Sequence, residues 1–308
     1  MMQELIKKFS ENLSTQTNLS NYSWFNLGGP AELLFKPKNT NQLIEFLQFI
    51  KGENLAITVL GAGSNTLIRD DGIKGAVIKL GSHFSDIKLI SPDTIEVGSA
   101  TLDRKISNFA KDNGVGNLEF LSCIPGSIGG GVIMNSGCYG DDISKILISI
   151  KAIDIHDCKE KEISRDEISF YYRGTNLPSN LIITSVKLKG KITEKNVIEK
   201  KQLKMIEKKK LTQPSQIKTC GSTFKNFGTE KKAWQLIKET GCDKFFEGDA
   251  IISKKHCNFF VNNGKAKSSD IEKLINKVKQ TINDKTGINL ELEIKIIGEK
   301  KKNIRESQ

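Results

Sequence analysis

The sequence predicts a mixed α/β (α+β) protein built from two or three units. Three observations carry that prediction. At 308 residues the chain exceeds one ordinary small domain. Amphipathic helical patterns alternate with short apolar strand patterns from end to end. Glycine-dense loops follow strand patterns at 61–66 and 126–140.

The elements follow in order. Leu43, Ile44, Leu47 and Ile50 recur at helical spacing and predict a helix over 40–51. LAITVL (55–60) reads as a buried strand, followed by GAGSNT and a short strand AVIKL (76–80). DIKLI and TIEVG alternate around a Ser-Pro-Asp turn and predict a hairpin over 86–98. TLDRKISNFAKDNG (101–114) reads as a helix with Thr101 as N-cap and Gly114 as stop. Strands are expected near 145–155 and 181–189, then a lysine-rich helix over 194–210. AWQLIKETG gives a short helix and NFFVNN an apolar strand. After Ser268, the residues Ile271, Leu274, Ile275, Val278 and Ile282 share one helical face, which Gly287 closes. NLELEIKII is the last strand pattern, and the tail 301–308 is expected to be disordered.

Composition narrows the function. Hydrophobic residues make up 37% and charged residues 27%, the balance of a soluble globular protein. No stretch approaches the roughly 20 consecutive apolar residues that span a bilayer, and the N-terminus lacks a secretory apolar core, so a cytoplasmic location without membrane partners is expected. Six scattered cysteines without a C-x-x-C pair read as reduced thiols, and three dispersed histidines suggest no metal centre. The net charge of +11 raises nucleic acid as a partner. Aromatics amount to only 7% and the lysines interleave with acids, so the charge reads as solvated helix surface with some attraction for small anions, and no nucleic-acid partner is expected.

GAGSNT invites a dinucleotide-binding reading, but Thr66 stands where the third glycine belongs and the residues after it hold a turn instead of opening a helix. Alone it reads as a tight connection between buried strands that can also present backbone N–H groups and two polar side chains to an anion. IPGSIGGG (124–131), running into MNSGCYG, changes the weighting. Its glycines cost conformational entropy that a close approach to a flat or phosphorylated ligand justifies. Neither loop is a Walker motif, and together they suggest one cofactor laid across both.

Eight segments in order carry a resemblance over nearly the whole chain: NYSWFNLGGPAE (21–32), VLGAGSNTLIRDDGIKGAVIKL (59–80), LSCIPGSIGGGVIMNSGCYG (121–140), YYRGTNLP (171–178), QP…CGSTFKN (213–226), AWQLIKETG (233–241), ISKKHCNFFVNNGKA (252–266) and LELEIKIIG (290–298). The chain resembles the UDP-N-acetylenolpyruvoylglucosamine reductases, in their shorter second-class form. The resemblance implies an FAD-binding fold of the vanillyl-alcohol-oxidase type in two subdomains (1–80 and 81–205) and a C-terminal α/β substrate domain (206–300). It implies non-covalent FAD, NADPH as co-substrate, small-molecule partners only, and the reduction of an enolpyruvyl sugar nucleotide in peptidoglycan precursor synthesis. A monomer is the expected state.

The implied FAD contacts are Gly61, Ala62, Gly63, Ser64, Asn65 and Thr66 in the first loop, with Ser122, Pro125, Gly126, Ser127, Gly129, Gly130, Asn135 and Gly137 in the second. Hydride addition to an enol ether bearing a carboxylate builds negative charge next to that carboxylate, so the site needs a stabilising cation and an acid. Arg173 suits the first task through two-point carboxylate binding. Ser222 lies in GSTFKN without the second glycine of a hydrolase elbow, which leaves a turn residue or a proton donor; the resemblance selects the donor. The alternating strand puts Glu291 and Glu293 on one polar face, and only the resemblance selects Glu293. Tyr172, Lys225, Asn226, His256, Lys210 and Gln213 are the implied substrate contacts. Departures from the family pattern are Cys123 for glycine, Gly131 for alanine, Phe227 for proline, and Cys220 and Cys257 for small residues, which could be oxidation-sensitive if exposed.

Two other readings compete. Another FAD-linked oxidoreductase, of the alcohol or lactone oxidase type, would often tether flavin to histidine or cysteine; no histidine lies beside either loop, although Cys123 and Cys138 do. A basic binding protein without catalysis is opposed by the joint presence of Arg173, Ser222 and Glu293.

Overall fold

The computed structural model describes residues 2–226 and 230–300. Expectations for Phe227 and the tail 301–308 lie outside the described residues. Two main sheets form the first two thirds. The first has four strands in the order Leu13–Asn18, Pro30–Phe35, Ile73–Ile78, Ile57–Val59. Its first pair is antiparallel and the other two are parallel. The helix Thr40–Phe49 packs on it, started by Asn39, whose side chain accepts from the Gln42 N–H. Phe46 stacks on Phe35 with ring centroids 4.0 Å apart.

The segment expected as a buried strand at 55–60 is corrected. Only Ile57–Val59 pairs, at the sheet's edge, and Val59 is 42% exposed. An edge strand has a neighbour on one side only, so its apolar run need not be covered.

The second sheet is antiparallel throughout, in the order Glu160–Ser164, Leu147–Asp154, Leu181–Lys189, Thr94–Gly98, Ile87–Ser91. The expected hairpin is its edge pair. The helix beside it starts later than the pattern suggests, at Asp103, and Thr101 is not its cap. Thr101 is wholly buried and its carbonyl accepts from the Ile128 N–H at 3.0 Å, while Leu102 bridges Ser127. A ladder to the second glycine loop has claimed the backbone that a cap would use.

That loop also differs from expectation, because Ile128–Ile133 winds into a short helix. Gly129 sits against Ser99, where an added Cβ would lie 2.9 Å from the Ser99 Cβ. At this position helix packing within the chain already requires a glycine.

The helix Lys195–Thr212 runs unbroken past 205 and ends at Gln213. Beyond it, the helix Ser268–Thr286 buries the predicted face of Ile271, Leu274, Ile275, Val278 and Ile282, and Gly287 ends it at φ 70°. Its core also takes in Phe25, Leu27 and Leu67 from the N-terminal part. Asp70 starts this helix from a distance in sequence, accepting from the Ser268 and Ser269 N–H groups at 2.8 and 2.9 Å. Arg69 beside it pairs with Glu272 at 2.9 Å.

The last strand is shorter than its pattern. Lys295–Ile297 pairs in parallel with Thr66–Ile68, whereas residues 291–293 bond to 223–225 instead. One apolar alternation serves two partners in succession, which periodicity cannot show.

Candidate active site

Glu293 is where the separate parts meet. Its N–H donates to the Thr223 carbonyl at 2.8 Å, next to Ser222 in sequence. Its carbonyl accepts from Asn65 Nδ2 at 3.0 Å, which ties in the first glycine loop. Its carboxylate accepts from Arg173 Nε at 2.8 Å. Burial, only partly offset by Arg173 and Lys225, holds the Glu293 carboxyl above its ordinary pKa. Glu291 is different: its side chain is 75% exposed and pairs with Lys225 at 3.2 Å. The tertiary structure separates two glutamates that the strand pattern left equivalent.

Arg173 adopts φ 58°, a left-handed conformation uncommon for a residue with a side chain. It places the guanidinium over the Tyr172 ring, 4.9 Å from the centroid, and lets Nη2 donate to the Gly137 carbonyl at 3.1 Å. The remaining guanidinium donors are those a substrate carboxylate could engage.

Ser222 follows Gly221 at φ 80° and bridges Phe259. Asn258, fully buried, clamps the strand that carries it. Its side chain accepts from the Phe224 N–H at 3.0 Å and donates to the Phe224 carbonyl at 2.8 Å. Sequence reasoning passed over this asparagine, because its role depends on a neighbour 34 residues away.

The two glycine loops come together as expected. Ser64 Oγ donates to the Pro125 carbonyl at 2.8 Å, and Ser127 Oγ lies where it would meet a Cβ on Gly61 at 3.2 Å and one on Gly130 at 3.9 Å. Gly63 at φ 70° is required by close packing, since a Cβ there would fall 1.8 Å from the Tyr22 carbonyl oxygen. Lys79 donates to the Gly61 carbonyl. The side chains of Ser64 and Asn65, expected to face an anion, have protein partners, as does Asn135. Asn135 donates to Tyr171 O at 3.3 Å and accepts from the Ser144 N–H at 3.1 Å.

Beneath the second loop lie Ser99, Thr101 and Asp103, whose buried side-chain oxygens have no hydrogen-bond partner among the described residues. Burial pushes the Asp103 carboxyl up to about 8. Asp103 Oδ2 and Ser64 Oγ would each lie 3.3 Å from a Cβ on Gly126, so the three groups meet where the loops join. Unused polar capacity beneath a glycine-rich junction of open backbone fits an FAD-type diphosphate. Asp103 was missed in the sequence because it looked like an ordinary first-turn helix acid.

The other expected contacts have partners within the protein or lie at its surface. Asn226 Oδ1 accepts from the Ala233 N–H at 3.0 Å and so starts the helix Ala233–Glu239. His256 is half-buried, its Nδ1 accepts from the Asn258 N–H at 3.3 Å, and burial lowers its pKa. Gln213 ends the long helix, and Lys210 is exposed with its carbonyl taken by Lys255 at 2.5 Å. Cys220 is buried and its thiol is pushed up to about 11, so its place near the site does not make it reactive. No helix among the described residues is long and apolar enough to cross a membrane.

Comparison with known proteins agrees with this geometry. A family model for the C-terminal domain of UDP-N-acetylenolpyruvoylglucosamine reductase matches residues 213–297. An FAD binding domain model matches 31–163. The UDP-N-acetylenolpyruvoylglucosamine reductase of Pelagibacter ubique is 47% identical over 300 residues, covering 96% of this chain and 99% of its own. That of Wolbachia pipientis wMel is 41% identical over 280 residues, covering 91% and 94%. The crystal structure of UDP-N-acetylenolpyruvylglucosamine reductase from Thermus caldophilus superposes with a TM-score of 0.79 at 31% identity, covering 92% of this chain and 97% of that one.

Proposed function

This chain belongs to the UDP-N-acetylenolpyruvoylglucosamine reductase family, and from that membership we propose that it reduces UDP-N-acetylglucosamine enolpyruvate to UDP-N-acetylmuramate for peptidoglycan synthesis, with NADPH as reductant. The observation that carries the reading is the convergence on Glu293 of Arg173, the Ser222 strand and the first glycine loop. FAD, when bound across the two loops, supplies the hydride transfer that saturates the enolpyruvyl double bond.

The chain's own residues do the rest. Arg173 binds the substrate carboxylate and stabilises the negative charge that builds beside it. Glu293 holds the guanidinium in place from one side and the Gly137 carbonyl from another. Ser222 gives its hydroxyl proton to the carbon next to the carboxylate, and the positive charge of Arg173 and Lys225 serves to stabilise the alkoxide left behind. Tyr172 and Lys225 complete the substrate's surroundings, and the protein reaches the cytoplasm's nucleotide pool as a monomer.

The test is spectroscopic. The purified protein should carry a non-covalent yellow flavin that NADPH bleaches and the enolpyruvyl sugar nucleotide restores. A colourless protein, or a reduced flavin that this substrate leaves bleached, would remove the assignment.

A further inference from the structure

Two lysines stand at the first glycine loop without a counter-charge. The parallel strands Pro30–Phe35 and Ile73–Ile78 pair Leu34 with Val77 and Phe35 with Ile78. Continued by one residue, that register sets Lys36 beside Lys79, and the Lys79 N–H donates to the Phe35 carbonyl at 2.9 Å. Both side chains end against the loop. Lys79 Nζ donates to the Gly61 carbonyl, and Gly61 is where the first loop meets Ser127 of the second. Lys36 Nζ donates to the Tyr22 hydroxyl at 2.7 Å, and the Tyr22 carbonyl packs directly against Gly63. Neither lysine has a carboxylate partner among the described residues.

Lys36 is exposed, but Lys79 is half-buried, and burial lowers its pKa. An ammonium withdrawn from water beside a like charge destabilises the fold unless an anion joins it. The Gly61 carbonyl takes only one of the Lys79 N–H groups and leaves the others for a ligand. The Tyr22 hydroxyl, which accepts from Lys36, still has its own proton to donate. The two loops supply no such charge, since neither 61–66 nor 122–137 contains a lysine, arginine or histidine. Their backbone N–H groups meet phosphate oxygens as dipoles and bring no net charge.

We propose that, with FAD lying across the two loops, Lys79, reinforced by Lys36, is the cation that binds and neutralises the FAD diphosphate. In the sequence Lys79 reads only as a polar position in the strand AVIKL. The strand register and the reach of its side chain to Gly61 give it this place.

The test removes the flavin and titrates the FAD-free protein with FAD by calorimetry at low and high salt. Lys79→Met should weaken FAD binding by about tenfold to a hundredfold, the scale of one charge-assisted hydrogen bond, and flatten its salt dependence. Lys79→Arg keeps the charge and should bind FAD more tightly than Lys79→Met. The urea midpoint of FAD-free Lys79→Met should not fall, because the variant removes a half-buried cation that has no counter-charge. Lys36→Met alters an exposed side chain, should weaken FAD by about threefold, and provides a second variant should the first fold poorly. Unchanged FAD affinity in a folded Lys79→Met protein would overturn the proposal, even if KM for NADPH rose, since the charge would then serve the co-substrate. An equal loss in Lys79→Arg, or a lowered urea midpoint in FAD-free Lys79→Met, would reduce the lysine to a structural strut. With Lys79→Met unfolded, unchanged affinity in Lys36→Met would overturn the proposal as well. FAD is titrated without substrate, so failure of the proposed reductase activity and failure of this site are told apart.

Discussion

Arg173 Nε donates to Glu293 Oε1 at 2.8 Å across 120 residues of sequence, with both side chains mostly buried. Each holds the other's charge in a place where neither would be comfortable alone. Glu293→Gln keeps the shape and removes the counter-charge. Substrate-dependent flavin re-oxidation should fall about 10²-fold, the scale of losing one preorganised electrostatic contact, while reduction by NADPH is unchanged. Arg173→Ala leaves Glu293 buried without its cation and should also cost about 3 kcal/mol, read from urea denaturation. A Glu293→Gln enzyme with full turnover would remove the pair from the mechanism.

Ser222→Ala separates the two half-reactions. Stopped-flow absorbance should show normal bleaching by NADPH and re-oxidation slowed by at least about 10²-fold, as for the loss of a general acid. Equal slowing of both phases would point to damage to the strand instead.

Asp103 predicts a pH dependence. Its carboxyl rises from an ordinary value of 3.8 to about 8 on folding. Between those values the folded protein holds a proton that the unfolded chain has released. The contribution to stability is therefore full below pH 4 and is lost as pH rises through 8, with a slope of up to about 1.4 kcal/mol per pH unit. Asp103→Asn, neutral at every pH, should flatten that fall in the FAD-free protein, measured as urea midpoints at pH 5 and pH 8. Parallel midpoints in the two proteins would show that Asp103 is ionised in the fold.

Two glycines should respond in opposite directions. Gly131 is helical, and a Cβ there would meet its nearest atoms at 3.8 Å, ordinary contact. Gly131→Ala should raise the melting temperature, stabilising by about 0.5–1 kcal/mol. An alanine, which the resemblance leads one to expect here, is thus sterically acceptable. Gly63→Ala meets the Tyr22 carbonyl at 1.8 Å in a left-handed backbone. It should cost more than about 3 kcal/mol and abolish flavin retention, checked by thermal melting and the visible spectrum.

Much of this molecule is legible in one dimension. The helix Ser268–Thr286 follows from its apolar period and its closing glycine, because both signals are local. The hairpin over 86–98 follows from alternation around a Ser-Pro-Asp turn. The eight ordered motifs determined the family, since their order and spacing are themselves one-dimensional.

What the tertiary structure alone decided depends on partners far apart in the chain. It buried Glu293 against Arg173 and left Glu291 exposed, a difference invisible to a period of two. It turned Asn226 and Asn135 toward the protein's own backbone. It buried Asp103 with no hydrogen-bond partner among the described residues. Local patterns report which face of an element is apolar. They cannot report which polar group from another element will lie against the other face, and desolvation and charge there decide the chemistry.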